Sequence, residues 1–160
     1  ILSGLVGSEM CIRDRYLRSI RLLAECFHAF ERQSGANIRC RTGLTPSQFD
    51  IIATLGNTCG MSFKELGERT LITKGTLTGV IDRLEEKGLV TRVTQIEDRR
   101  STLVKLTAAG ETEFKRVFSQ QIAFGKQSFV NYDAQDFDAL DRELTKLHAN
   151  LTGQEPKPKY

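Results

Sequence analysis

The segment Leu71–Val90 reads LITKGTLTGVIDRLEEKGLV and carries the clearest helical pattern of the chain. Its apolar residues recur at intervals of three and four, as they do on one face of an α-helix; they are Leu77, Val80, Ile81 and Leu84. Because each residue turns a helix by about 100°, the opposite face is small and polar, and it holds Gly75, Thr78, Gly79 and Asp82. The pattern predicts a helix with one buried side and an outer side that lacks long side chains near its start.

Two glycines in this outer face need an explanation, because each costs a helix interior about 1 kcal/mol relative to alanine. Gly75 and Gly79 make sense if a bulky partner must come close to the helix backbone. A recognition helix in the DNA major groove presents its N-terminal residues to base edges in this way. The other interpretation is a capping region that tolerates glycine, and the helix alone does not decide between the two.

The residues before this helix predict a second helix in a helix-turn-helix. Ser62-Phe63-Lys64-Glu65 has the form of a capping box, which begins a helix. Thr73 is a good N-cap for the helix that follows, and Gly88 is placed to end it. Two helices joined by so short a connection are typical of the helix-turn-helix motif.

The residues after it predict a β-hairpin. Leu89–Gln95 and Thr102–Leu106 are rich in Val, Thr and Leu and favour two strands. Between them lies a charged cluster that includes Asp98, Arg99 and Arg100. On its own this cluster indicates a solvated hairpin tip. Beside a helix-turn-helix it predicts a wing, because arginine suits the narrow minor groove and Asp98 can hold Arg100 by a charge-assisted hydrogen bond.

At these motifs the sequence resembles the multiple antibiotic resistance regulators, the MarR family. The resemblance rests on LTPSQFDIIATL, on LITKGTLTGVIDRLEEKGLVTR, and on Asp98-Arg99-Arg100-Ser101 followed by LVKLTAAG, and it covers roughly Leu17–Leu151. A helix-turn-helix is common, but a wing D-x-R followed by a strand and L-T-x-x-G is more specific. The resemblance implies a homodimeric winged-helix transcription regulator, often a repressor that is released by a small ligand or by oxidation.

The fold class expected is mainly α with a small β-hairpin, in which a winged helix-turn-helix core is flanked by dimerisation helices. The first helix has apolar residues at helical spacing from Leu17 to about Arg32, where Ser34-Gly35 weakens the pattern. Thr107 and Asp133 are N-caps of two later helices, and the last carries a coiled-coil spacing of apolar residues; these are Phe137, Leu140, Leu144, Leu147 and Leu151.

The expected domains follow from these elements. Residues 1–15 resemble a translated adaptor sequence and are left out of the functional argument. They are followed by an N-terminal dimerisation helix (16–43), the winged helix-turn-helix domain (44–106), the C-terminal dimerisation helices (107–151) and a disordered tail (152–160).

Composition is that of an ordinary globular protein, with 39% hydrophobic and 27% charged residues among 160. Net charge is only +3, but Ser62–Lys105 has nine basic against seven acidic residues, whereas Thr107–Leu151 has five against seven. There is no apolar run of membrane-spanning length and no signal peptide, so four cysteines indicate reduced thiols in a cytoplasm.

Enzyme and metal-site motifs are absent from the sequence. It has no G-x-S-x-G, P-loop, H-E-x-x-H or dinucleotide fingerprint, so we expect no enzyme and no cofactor. Cys26-x-His28 without a C-x-x-C is a poor metal site. One family branch senses oxidants through a cysteine near the start of the first helix, but Cys26 lies several residues later, which disfavours this thiol-based alternative.

The predicted partner is a palindromic double-stranded DNA operator, bound by a homodimer with its recognition helices one helical turn apart. The residues expected at the major groove are Thr73, Lys74, Thr76 and Thr78. Those expected at phosphates or in the wing are Ser62, Arg83, Asp98, Arg99 and Arg100. The alternative is a winged-helix protein-interaction module that has lost DNA binding, which Glu85-Glu86 and the low net charge favour.

The resemblance also implies an effector cleft between the dimerisation helices and the winged-helix core. Residues expected to line it are Phe27, Phe30, Phe49 and Phe114, with Arg32 holding an acid group of the ligand. An aromatic lining suits a planar aromatic carboxylate or phenol. The other interpretation is that these phenylalanines fill the core.

Overall fold

The computed structural model describes residues 3–70, 72–94 and 102–154, with side chains from residue 15 onward. The chain forms two compact units, residues 1–46 and 47–160. The elements are α1 Ser3–Thr42, α2 Pro46–Leu55, β1 Met61–Ser62, α3 Phe63–Arg69, α4 Lys74–Glu86, β2 Val90–Thr94, β3 Thr102–Leu106, α5 Ala108–Lys126, a 3-10 turn Gln127–Phe129 and α6 Ala134–Thr152. The expected fold class is confirmed. None of the helices in these ranges is long and apolar enough to span a membrane.

Helix α1 continues through Ser34-Gly35, where the apolar pattern weakens, and ends at Thr42. Gly35 is buried, and a Cβ there would lie 3.1 Å from the Pro46 side chain. The glycine therefore answers a packing need rather than ending the helix. Gly43, with a φ of +66°, follows the last turn and donates its amide to the Arg39 carbonyl. The adaptor interpretation of residues 1–15 stays a prediction.

The core of the second unit is built from α2, α3, α4 and the sheet. The apolar stripe predicted for α4 is buried, since Leu77, Val80, Ile81 and Leu84 are at most 6% exposed. It joins fully buried side chains of the other elements, where each large side chain stabilises the fold by about 1.5–3 kcal/mol; these are Ile51, Ile52, Leu55, Leu66, Val90 and Val104.

The sheet has the order β1-β3-β2, and both pairs of strands are antiparallel. Val90 pairs with Leu106 at one end of the hairpin, and Thr94 pairs with Thr102 at the other. The two-residue strand β1 pairs with β3 through Met61 and Val104. Because Ser62 is both in β1 and at the start of α3, this pairing fixes the first helix of the helix-turn-helix beside the hairpin.

The predicted end of α4 and the predicted start of α6 are confirmed by their hydrogen bonds. After α4, the amides of Gly88 and Leu89 donate to the carbonyls of Glu85 and Leu84 at 2.8 and 3.0 Å, which is a Schellman motif. Gly88 has the positive φ of +69° that this motif requires. Asp133 caps α6 in a capping box with Asp136. The predicted disordered tail lies mostly outside the described residues, from residue 155 onward.

Candidate nucleic-acid interface

Ser62 begins α3 through the predicted capping box. Its hydroxyl accepts the Glu65 amide at 3.2 Å, while its amide and hydroxyl each donate to the Glu65 carboxylate at 2.8 Å. The bonds from the Ser62 amide and hydroxyl lower the pKa of Glu65 below its ordinary value of 4.5. Both donors of Ser62 are thus engaged by a carboxylate, which argues against the predicted phosphate contact at this residue.

The outer face of α4 is the feature on which the DNA prediction depends. Thr73 is the N-cap, but its side chain makes no capping bond to the first-turn amides; its hydroxyl lies 2.9 Å from that of Thr76. Lys74, Thr76 and Thr78 are all exposed, and Arg83 is exposed further along the helix. The structure therefore brings the four residues predicted for the major groove together at one accessible helix start.

Glycine on this face has no packing role within the described protein. A Cβ built on Gly75 or on Gly79 would meet no atom within 4 Å. Each glycine nevertheless costs the helix about 1 kcal/mol relative to alanine. The missing side chains leave the α4 backbone open to an object outside the protein.

Arg92 of β2 ties the hairpin to the helix-turn-helix, a contact that the sequence reasoning missed. Its guanidinium binds the carboxylates of Asp82 and Glu85, both on α4. It also lies 5.6 Å from the ring centroid of Phe63 on α3, a cation–π distance. The hydrogen bond with Asp82 raises the pKa of Arg92 above its ordinary value, so the residue is always a cation. One side chain thus contacts both helices from the first strand of the wing.

This cluster changes how the acidic residues of α4 are interpreted. Glu85 accepts from the side chain and from the amide of Arg92, so its charge is compensated within the protein. The sequence does contain a usable signal, because Asp82 and Glu85 are three residues apart and lie on neighbouring positions of one helix face. Their partner lies on a strand beyond Gly88, and no local pattern identifies it.

The strands of the predicted wing are paired up to the residues that flank its tip. Among the described residues, the pairing of β2 with β3 reaches Thr94 and Thr102. The tip residues Asp98, Arg99 and Arg100 lie outside the described residues, and so does Gln95, the last residue of the predicted first strand. The described strands flank this segment in the sequence, and the contacts of its charged residues stay predictions.

Known proteins share both the sequence pattern and this architecture. The family model described as MarR family matches residues 42–101. The homoprotocatechuate degradative operon repressor of Escherichia coli is 30% identical over 109 residues, which cover 68% of this chain and 74% of the repressor. The chain belongs to the MarR family of transcription regulators.

Solved structures show the same MarR-family fold. The MarR/EmrR family regulator of Acinetobacter sp. ADP1 has a TM-score of 0.75 at 20% identity, over 89% of this chain and 99% of that one. FabT of Streptococcus pneumoniae, solved in complex with DNA, has a TM-score of 0.70 at 21% identity, over 85% of this chain and 96% of that one. The winged-helix arrangement of α3, α4 and the hairpin is therefore that of the family.

The residues predicted for a MarR-family effector cleft occupy different environments. Phe27, Phe30 and Arg32 are exposed on α1, and Phe49 is half-buried on α2. Phe114 is buried on α5, where its ring fills the space that a Cβ on Gly56 would occupy. Core packing accounts for Phe114 without a ligand, whereas the effector role of the other four stays a prediction.

Cysteines of the described part of the chain are free thiols. Cys26, Cys40 and Cys59 are all exposed. In the same residues no group of three His, Cys, Asp or Glu side chains is arranged to hold a metal ion. The structure therefore does not single out any of these three cysteines as an oxidant sensor.

Proposed function

We propose that this MarR-family chain regulates transcription in the cytoplasm by binding specific double-stranded DNA, with the start of α4 in the major groove. The observation that carries this proposal is the exposed, small-residue face of α4, whose two glycines leave the backbone open. Lys74, Thr76 and Thr78 would read base edges, since lysine pairs with guanine acceptors and threonine serves several bases. Arg83 would contact a phosphate.

The wing would add a second contact, in the minor groove. Arg99 and Arg100 are suited to its negative potential, and Asp98 would orient Arg100. The relative solved with DNA, FabT, supports DNA as the partner. The Escherichia coli relative is named as an operon repressor, which supports repression as the mode of regulation.

A second copy of the chain completes the proposal. Exposed apolar side chains line α1, among them Tyr16, Leu17, Ile20, Leu23 and Phe27. Helix α6 has no buried residue although Phe137, Leu144 and Leu151 lie on one side of it. A homodimer would cover these apolar surfaces, and its two-fold symmetry would match a palindromic operator.

The proposal is tested by filling the open face of α4. A duplex is first selected from a random-sequence pool with the wild-type protein, and affinities for it are measured by fluorescence anisotropy at fixed salt. Gly79→Gln should keep or raise the thermal stability, because glutamine favours helix and its Cβ would meet no atom within 4 Å. The same change should lower DNA affinity by about tenfold or more, since the side chain enters the space of the groove.

Gly125→Gln is the matched control. Gly125 also lies within a helix and is also open to a Cβ, but it is on α5, away from the proposed interface. This variant adds the same side chain near the end of α5 and should bind the selected duplex within about twofold of wild type. The proposed function fails if the wild-type protein enriches no duplex, or if Gly79→Gln binds as Gly125→Gln does.

We further propose an aromatic acid as the effector, with Phe27 and Phe30 as contacts and Arg32 as the partner of the carboxylate. The relative named for homoprotocatechuate degradation supports this class, because homoprotocatechuate is an aromatic acid. Ligand control requires different affinities in the two states, typically 1–3 kcal/mol of coupling. Titration of the protein–duplex complex with salicylate and hydroxyphenylacetates should release DNA in wild type and less in Arg32→Gln. A complex unchanged at millimolar concentrations of all of them would contradict this effector class.

A further inference from the structure

The corner between α4 and α5 is held by one threonine. The Thr107 amide donates to the Leu89 carbonyl at 3.1 Å, and the Thr107 hydroxyl donates to the Gly88 carbonyl at 2.6 Å. The same hydroxyl accepts the Gly110 amide at 3.1 Å, which caps α5. Thr107 therefore has two roles: it begins α5, and it connects that helix to Gly88 and Leu89, just after the end of α4.

Gly110 allows α5 to approach the backbone that follows α4 closely. A Cβ on Gly110 would lie 2.0 Å from the Leu89 carbonyl oxygen, a distance that no side-chain carbon can adopt. The first turn of α5 can thus pack directly on the backbone that leaves α4. The L-T-x-x-G motif of residues 106–110 consequently has a physical role here, because its threonine bonds across the corner and its glycine permits the approach.

The corner lies at the opposite end of α4 from the residues proposed to read DNA. Helix α4 has 13 residues. At 1.5 Å per residue it is about 20 Å long, so a tilt of about 10° at the corner displaces its N-terminal end by roughly 3 Å. That displacement is close to the rise of one base pair, about 3.4 Å. Small changes of angle at this corner would therefore spoil the register of Lys74 and Thr76 on the bases.

We propose that Thr107 is a positioning residue for DNA recognition, which with Gly110 sets the angle between α4 and α5. The inference rests on the proposed function, since it assumes that α4 reads DNA. Helix α5 leads through the 3-10 turn to α6, which carries part of the proposed dimer surface. The contacts of Thr107 and Gly110 would in this way connect the proposed dimer surface to the spacing between the two recognition helices of the dimer.

Thr107→Asp separates the two jobs of the side chain. Aspartate can still cap α5 by accepting the Gly110 amide, as Asp133 accepts the Asp136 amide on α6. Ionised aspartate cannot donate to the Gly88 carbonyl, so the side-chain bond across the corner is lost, while the cap and the backbone bond to Leu89 are kept. Thr107→Ser keeps both bonds. Thr112→Asp is the charge control, because Thr112 is exposed on α5 and its hydroxyl bonds only within that helix, to Ala108.

The measurement is the affinity of each variant for the wild-type-selected duplex and for an unrelated duplex, with active protein counted by stoichiometric titration. Thr107→Asp should bind the selected duplex at least tenfold more weakly than Thr112→Asp and lose its preference over the unrelated duplex, whereas Thr107→Ser should stay within twofold of wild type. A merely structural role would lower the melting temperature and the active fraction, but not this preference.

The outcomes are distinguishable. A wild-type protein that selects no duplex removes the proposed function and the positioning role together. A wild-type protein that selects a duplex, with Thr107→Asp matching Thr112→Asp in both affinities, overturns the positioning role alone. If Thr107→Asp shows no cooperative melt, Thr107→Val replaces it and is compared with Thr112→Val; valine has nearly the volume of threonine but loses both the bond to Gly88 and the cap of α5.

Discussion

At the scale of the residue, the side chain of Arg92 connects the hairpin to both helices of the helix-turn-helix. It is 28% exposed in its side chain, binds two carboxylates of α4 and lies against Phe63 of α3. Lysine keeps the charge but lacks the planar fork that reaches both carboxylates. Arg92→Lys should therefore loosen the hairpin from α4 and leave Asp82 partly uncompensated on the proposed DNA-binding surface. We expect the affinity for the selected duplex to fall by about three- to fivefold, the equivalent of one partly exposed ion pair.

A matched pair on α5 provides the control for this prediction. Arg116 binds Glu113 three residues away, and that hydrogen bond raises the pKa of Arg116. Arg116→Lys makes the same chemical change away from the proposed interface and should leave DNA affinity within about twofold. If both lysine variants bind the duplex equally well, Arg92 holds no part of the interface in place.

At the scale of the element, the sequence predicted what local chemistry determines. The stripe from Leu77 to Leu84, the capping box at Ser62 and the stop at Gly88 were all correct, because each depends on residues within one or two helical turns. The packing role of Gly35 was not predicted, because its neighbour is Pro46, eleven residues later. The partners of Arg92 were missed for the same cause.

The glycines show most directly what the sequence alone cannot predict. Gly79 and Gly110 both lie in helices, and their letters alone do not tell them apart. Around Gly79 there is open space, whereas Gly110 and Gly56 are each filled to within 2.2 Å by a backbone or a ring. The sequence can indicate an unusual glycine. Only the neighbouring atoms in the structure distinguish a glycine that leaves space for a partner from one that permits close packing. The DNA contacts and the effector contacts themselves stay predictions.

At the scale of the whole molecule, apolar side chains are left exposed within the described part of the chain. On α6, Phe137, Leu144 and Leu151 are seven residues apart and 40%, 39% and 71% exposed. A seven-residue repeat keeps apolar side chains on one side of a helix, as in a coiled-coil seam. Such a row is costly in water unless another surface covers it, and the proposed cover is a second copy of the chain.

Leu144→Asp tests this cover by placing a charge in the row. An ionised carboxylate is strongly disfavoured in an apolar interface without a partner, so the variant should dissociate at micromolar concentration. Because Leu144 is already 39% exposed in the single chain, the fold of the chain should survive, which circular dichroism can check. Sedimentation velocity should show a dimer for wild type and a monomer for Leu144→Asp. Lys146→Asp makes a larger change of charge about 200° away around α6, and it should leave the dimer intact. A folded Leu144→Asp dimer would place the interface elsewhere, and two affected variants would mean that charge alone, and not the apolar row, controls association.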